Sequence, residues 1–421
     1  MKQPMPLAVA SEENRQRDRT RFQAVLSATP QPGCDPSEET LSPHPVLTDP
    51  EFIRRLKDFH EALVKAAVDI TSVEQVLHWV DDRSRVKAMP PYRDCLSHWR
   101  PELLLTDNGG TKGLGFQLCE INSRAPFNAI QLLGADPTLQ PAGNFNEMVD
   151  SLLSFFILEQ PIFLVRGRDR LHRQDFIQLV ERVSGLRPRL VQVEDLQLRP
   201  DPFSATGYSL YCDVQGAPPE KVHQVALSLF SDEFNLLSQD MLRQLATIAV
   251  NDFRTTLLVN DQRFLGIVLQ EVDDLVNKHN ILTPGESRHL QEEVTKKDYI
   301  LKAARQSRGE GHLLGDKLTL AEWESILQSM QDASIEEGTT TYVLQPYVLQ
   351  PTFDLIVHET RVERDSRMVG TYYTVNGRYL GLGPWRAGRA RICNVHGGGC
   401  VGLYSVTRTE GEGSQNHERD I

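Results

Sequence analysis

The sequence predicts a mixed α/β protein in which a small parallel-sheet unit is inserted into a larger core. Between residues 161 and 269, short apolar runs alternate with amphipathic stretches in the order strand, helix, strand, helix. Parallel strands need crossover connections, so that order points to a small parallel sheet. On either side lie further strand-like runs separated by helical ones. A length of 421 residues, at roughly 150 residues per domain, gives about three structural units. The expected division is an extension at 1–45, a first core segment at 46–158, the small unit at 159–275 and a second core segment at 276–421.

The elements follow in order from local chemistry. Residues 1–45 are rich in Pro, Ser, Glu, Gln and Arg with little apolar periodicity. Such a composition buries too little surface to offset the entropy of ordering, so the segment is expected to be disordered. Order begins at Asp49, where Asp-Pro-Glu sets an N-cap before a proline at the first helical position. Residues 52–80 carry Phe52, Leu56, Phe59 and Leu63 at helical spacing. Strands are expected at 103–106 and 115–121, joined by the turn Asp107-Asn108-Gly109-Gly110. Asn146 is placed to cap a helix over 146–158. In the small unit, strands are expected at 161–165 and 190–193 and helices at 174–183 and 219–229. The remainder is expected to hold a helix at 286–295 and strands at 299–302, 341–345 and 370–375.

Composition excludes some functions. A net charge of -12 and a pI near 5.5 argue against a nucleic-acid partner, which would need a basic face. No apolar run reaches membrane-spanning length; the best, residues 152–165, is broken by Glu159, Gln160 and Pro161. The first ten residues lack the apolar core of a signal peptide. Six cysteines in so long a chain do not make a disulfide framework. A cytoplasmic protein is expected.

In an acidic chain, anionic ligands must be met by local cations, and three constellations stand out. The first is Glu120-Ile121-Asn122-Ser123-Arg124 at a strand end. Alternation turns Glu120 and Asn122 to one face, and a carboxylate beside an amide oxygen suits magnesium. The plain alternative is a polar strand end facing water. The second is a strand ending in Lys302, followed by a loop with Arg305, Arg308, Gly309, Glu310 and Gly311. Glycine lets backbone amides approach phosphates and Lys302 supplies a point charge; a solvated basic loop reads equally well. The third is Arg386, Arg389 and Arg391 ahead of Gly397-Gly398-Gly399, where guanidinium forks can grip a carboxylate or phosphate. Cys393, His396 and Cys400 are too few donors for a closed zinc site.

The order of these elements, spanning about 100–406, resembles eukaryotic glutathione synthetase. That family has the ATP-grasp fold in circularly permuted order. The resemblance implies ATP and Mg²⁺ as cofactors, with Glu120, Asn122 and Glu310 as metal ligands. It implies a nucleotide contact by Lys302, Arg305, Gly309, Gly311 and Arg391, and by Arg263 in Asn260-Asp261-Gln262-Arg263. Leu344 and Gln345 stand at the hinge that faces adenine, where family members usually carry a carboxylate. Arg100, Ser123, Arg124 and Arg389 correspond to substrate positions, with Arg389 and Lys302 in catalytic roles. The phosphate loop departs from the family, reading Gly309-Glu310-Gly311 in place of a triple glycine.

The activity implied is ATP-dependent joining of a carboxylate to an amine through an acyl phosphate, in the making of small peptides or secondary metabolites. The altered loop and hinge support an alternative, a catalytically inactive relative that binds nucleotide or a small peptide; a third reading is an enzyme of the fold making a different phosphorylated product. Expected partners are the small-molecule carboxylate and amine, without nucleic acid or membrane, and a homodimer is left open.

Overall fold

The computed structural model of the chain describes residues 46–71, 90–107, 114–123, 145–168, 174–214, 216, 218–230, 233–279, 296–305, 311–330, 340–358, 361–393, 401–403 and 405–407, together with 16 and 20. The turn expected at 107–110 beyond Asp107, the helix at 286–295 and all but two positions of the extension at 1–45 lie outside them.

Strand β1 (Val46–Thr48) leads into α1 (Pro50–Thr71). Asp49 accepts a hydrogen bond from the Glu51 amide at 2.8 Å, so the Asp-Pro-Glu start caps the helix as its chemistry requires. Phe52, Leu56, Phe59 and Leu63 share the buried stripe; residues 72–80 lie outside the described residues. Next come the antiparallel pair β2 (His98–Asp107) and β3 (Leu114–Asn122). Helix α2 (Phe145–Leu153) is shorter than its sequence stretch, ending at Leu153 rather than 158.

The small unit holds β4 (Phe163–Arg166), α3 (Gln174–Ser184), β5 (Arg189–Gln192), β6 (Leu196–Pro200), β7 (Tyr208–Cys212), β8 (Glu220–Lys221), β9 (Val225–Ser228) and α4 (Gln239–Ile248). Strands β5-β4-β9 form a parallel sheet, and β6-β7-β8 an antiparallel one. The helix expected at 219–229 is therefore wrong: those residues form β8 and β9. The reason is burial on both faces. Ala226 packs toward α2 and α3, while Val225 and Leu227 pack toward α4. A strand covered on both sides loses its alternation, and its apolar run imitates a helix.

After a π-helical turn at Thr255–Val259 come α5 (Gln262–His279), β10 (Tyr299–Ala303), β11 (Leu313–Leu314), α6 (Leu320–Ser329) and β12 (Tyr342–Pro346). The chain then makes β13 (Phe353–His358), β14 (Arg361–Val375), β15 (Arg378–Leu382), β16 (Trp385–Gly388), β17 (Val401–Leu403) and β18 (Ser405–Thr407). Seven strands form the main sheet in the order β17-β16-β14-β2-β3, with β13 and β15 also paired to β14; β11-β10-β12 form a separate sheet. Strand β14 is far longer than the 370–375 stretch its alternation marks. It closes on Asn376-Gly377, at φ 47° and 76°, a pair suited to a two-residue hairpin turn.

Helices α1 and α5 pack with the main sheet through Phe264, Leu265 and Val268 against a core containing Trp99, Leu103 and Leu105. Each such side chain contributes about 1.5–3 kcal/mol by leaving water. Gly370 helps to place Arg386: a Cβ at Gly370 would lie 2.4 Å from the Trp385 ring. The bare backbone lets the indole lie close on β14 and so fixes the residue after it, Arg386.

Candidate functional site

The β2–β3 pairing sets Arg100 opposite Asn122 and Glu102 opposite Glu120. Strand alternation therefore gathers two carboxylates, an amide and a guanidinium on one face. Asn122 Nδ2 donates to Glu102 Oε1 at 3.0 Å and to Glu120 Oε1 at 3.1 Å. Glu102 is 2% exposed. Arg386, on β16, forks onto both of its oxygens, with Nη1 donating to Oε1 at 2.9 Å and Nη2 to Oε2. Arg386 Nε is held in turn by the Cys393 carbonyl at 2.9 Å. Arg100 Nη2 stands 3.7 Å from Glu102 Oε1, and its Nε is buried without a partner among the described residues.

A second sheet brings the cation. Lys302, on β10, is 4% exposed, and its Nζ donates to the Cys119 carbonyl at 2.8 Å and approaches Cys119 Sγ at 3.2 Å. A third element closes the group. The Gln262 amide donates to the Ala304 carbonyl at 3.0 Å, tying the start of α5 to the end of β10. Its side-chain Nε2 donates to Glu120 Oε2 at 3.4 Å. Asp261, 2% exposed, joins the same two elements by accepting from Arg263 at 2.5 Å and Arg305 at 3.1 Å.

These charges divide unequally. Burial opposes ionisation of Glu102, but the Arg386 guanidinium more than offsets it and holds the carboxyl well below the usual range. Glu120 goes the other way: burial, then the Glu102 carboxylate, push it up against the pull of Lys302. Burial works against the Lys302 ammonium, yet Cys119, Glu120 and Glu102 keep it charged, with its pKa raised. Glu102 thus has a full counter-charge. Glu120 draws on Lys302 and Arg386, each of which is hydrogen-bonded to another residue, so a further cation at its carboxylate would be favoured.

The ATP-grasp enzyme ankG of Aspergillus thermomutatus is 31% identical to this chain, across 85% of its length and 87% of that relative's. The chain belongs to the ATP-grasp enzymes. Residues 59–258 match the AnkG N-terminal domain family. A solved structure of a glutathione synthetase-like effector from Globodera pallida, in its apo form, covers 96% of this chain and 99% of its own with a TM-score of 0.50. At 11% identity that likeness speaks for the fold, which is the glutathione synthetase-like, mixed α/β arrangement read from the motif order.

An ATP-grasp fold implies ATP and a divalent cation, and the residues present fit them. The oxygens of Glu120 and Asn122 are hard donors, Gln262 Oε1 is buried with no partner among the described residues, and Lys302 supplies a fixed positive charge. Among the described residues no three His, Cys, Asp or Glu side chains form a metal-holding group; Glu310, the third carboxylate the resemblance implies, lies outside them, as do Arg124 and Gly309. Gly311 is exposed with φ 69°. Leu344 and Gln345 are half-buried in β12, opposite Leu301 and Ile300. No described helix is long and apolar enough to cross a membrane.

The three arginines of the third constellation part company. Arg386 turns inward to Glu102. Arg389 is exposed, pairing with Glu363 at 3.3 Å and donating to the Arg364 carbonyl at 3.1 Å. Arg391 pairs with Asp316 at 2.5 Å and lies 4.2 Å over the Tyr347 ring, beside the β12 hinge. Ser123 is 2% exposed, its hydroxyl donating to the Thr255 carbonyl at 2.6 Å and its amide to Asn260 Oδ1 at 3.0 Å. Both groups are spent on the π-helical turn, so Ser123 anchors the strand end. Glu102, Gln262, Asp261 and Cys119 carry no role in the motifs read from sequence. Glu102 alone had a signal, the Arg100-x-Glu102 spacing that mirrors Glu120-x-Asn122 across a hairpin.

Proposed function

We propose that this ATP-grasp enzyme is an ADP-forming carboxylate–amine ligase whose reaction runs through an acyl phosphate. A substrate carboxylate oxygen attacks the γ-phosphorus of ATP, and the bond to the β-phosphate oxygen breaks to release ADP. The amine nitrogen then attacks the acyl carbon, the acyl C–O bond breaks with loss of phosphate, and the amine proton passes to solvent. The observation that carries this reading is the cluster in which half-buried Glu120 and Asn122 lie under the charge of buried Lys302, brought from another sheet and bonded to Cys119.

When bound, magnesium would neutralise phosphate charge; Glu120 and Asn122 would hold it. Lys302 adds a second positive charge that needs no reorganisation, because its ammonium is already buried and fixed by Cys119. Glu102 with Arg386 forms the floor that keeps Asn122 aimed, since Asn122 Nδ2 is occupied by both carboxylates and its Oδ1 is left for another partner. Arg100, with an unpartnered Nε, is the cation we assign to the substrate carboxylate. The small parallel-sheet unit at 159–275 is the substrate-side domain in this reading, the partners are small molecules, and the setting is cytoplasmic.

The test is nucleotide analysis of the purified chain with Mg²⁺, ATP and a panel of amino acids and amines. The proposal expects ADP and phosphate in equal amounts, dependent on a carboxylate–amine pair. AMP as the sole nucleotide product would overturn it.

A further inference from the structure

We propose that Gln262 is a direct oxygen ligand of the divalent cation at the Glu120 site, a role that rests on the cation reading of that site. Three observations converge on it. Gln262 is 4% exposed, yet Oε1 meets no donor among the described residues. A buried amide oxygen without a partner costs about 1–3 kcal/mol, so it marks a place where something else belongs. Its own Nε2 donates to Glu120 Oε2 at 3.4 Å, which puts the free oxygen within one side-chain amide of the Glu120 carboxylate. The backbone is fixed as well: the Gln262 amide is bonded to the Ala304 carbonyl at 3.0 Å, two residues past Lys302, and the neighbouring Asp261 is clamped by Arg263 and Arg305.

The chemistry of the missing partner follows from its surroundings. It must accept lone pairs from an amide oxygen, sit against a carboxylate and tolerate a nearby ammonium, which describes a hard cation with oxygen ligands. Glu120 and Asn122 on β3 supply two donors from one strand. Gln262 adds a third from a different element, so the cation would tie α5 to the main sheet. In this arrangement a shared ion would take the place of the Gln262 N–H bond to Glu120.

Cation uptake is measured directly on the full chain by titrating Mn²⁺, free Mn²⁺ being read by its paramagnetic resonance signal, with and without ADP. Gln262→Met keeps length and burial but removes the oxygen; it is expected to weaken Mn²⁺ binding by about tenfold or more. Gln262→Glu keeps an oxygen at that place and adds charge; it is expected to bind Mn²⁺ at least as tightly as the natural chain, and to melt lower without metal but recover on adding Mg²⁺. Equal Mn²⁺ affinity in Gln262→Met and the natural chain overturns the inference and leaves the Glu120–Asn122 reading standing. Weaker binding in Gln262→Glu also overturns it, and serves as the deciding result where Gln262→Met fails to fold. A natural chain that takes up no Mn²⁺ under either condition removes the cation reading itself.

Discussion

Arg386 and Arg389 lie three residues apart, and each pairs with a glutamate of the same sheet, yet the two pairs belong to different physical regimes. Arg386 meets Glu102 on the buried face of β2, where the carboxylate is 2% exposed. Arg389 meets Glu363 with its own side chain 66% exposed. Coulomb attraction differs little in form; desolvation differs greatly. The lesson is that an arginine cluster seen in sequence says nothing of which member is committed. Pairing of β16 with β14 and of β14 with β2 makes that choice, by carrying Arg386 and not Arg389 over the carboxylates.

Breaking the buried pair should have the largest effect on stability. Arg386→Leu removes the forked partner of buried Glu102, leaving only the longer contact to Arg100 at 3.7 Å, and is expected to destabilise the chain by about 3–5 kcal/mol in urea unfolding. The double change Arg386→Leu with Glu102→Leu should recover much of that. Acidification sharpens the comparison from a second buried group. His60, whose Nε2 donates to the Gly377 carbonyl at 2.9 Å while Nδ1 faces Tyr372 Oη at 3.4 Å, is held neutral by burial, its pKa lowered from 6.5 to about 4. The unfolded chain takes up that proton near pH 6.5 and the folded chain does not, so stability falls as pH drops from 6.5 toward 4. The loss is about 3 kcal/mol from this group, and His60→Gln should flatten that part of the profile. Glu102, depressed when folded, adds a loss that starts lower, as pH falls through the ordinary carboxylate range near 4.5.

A smaller effect tests how Arg386 is aimed. Gly370→Ala puts a methyl group into the Trp385 ring and is expected to cost about 1–3 kcal/mol, displacing the start of β16. Smallest is Arg389→Leu: an exposed pair of this kind is worth less than about 1 kcal/mol, so the urea midpoint should barely move. A loss as large as that of Arg386→Leu would contradict the contrast between the two pairs.

Much of this could be read from the chain alone, and the misses share a cause. Strand alternation put Glu120 and Asn122 on one face, and Lys302 at a strand end before a glycine-bearing loop stood out by charge; both are local signals. The Asp49 cap and the Phe52–Leu63 stripe are local too. Glu102 depends on the register of β2 against β3, Gln262 on where α5 meets β10, and Arg386 on a strand more than 280 residues from its partner. Apart from the Arg100-x-Glu102 spacing, no local pattern encodes those. The helix expected at 219–229 failed because β9 is covered on both faces, which erases the alternation that distinguishes a strand.

The central claim is that the Glu120 group binds the cation that ATP chemistry needs, and Glu120→Gln tests it most directly. The change keeps the size of the side chain and removes its charge, and one of the two acceptor oxygens that face Asn122 and Gln262 becomes an amide nitrogen. Mg²⁺-dependent ADP release is measured beside the thermal melting curve for the natural chain, for Glu120→Gln and for Lys302→Met, which removes the buried ammonium while keeping its apolar stem. The account predicts ADP release reduced by at least about 10²-fold in both variants, with a cooperative melting transition retained. Full ADP release in both would contradict it.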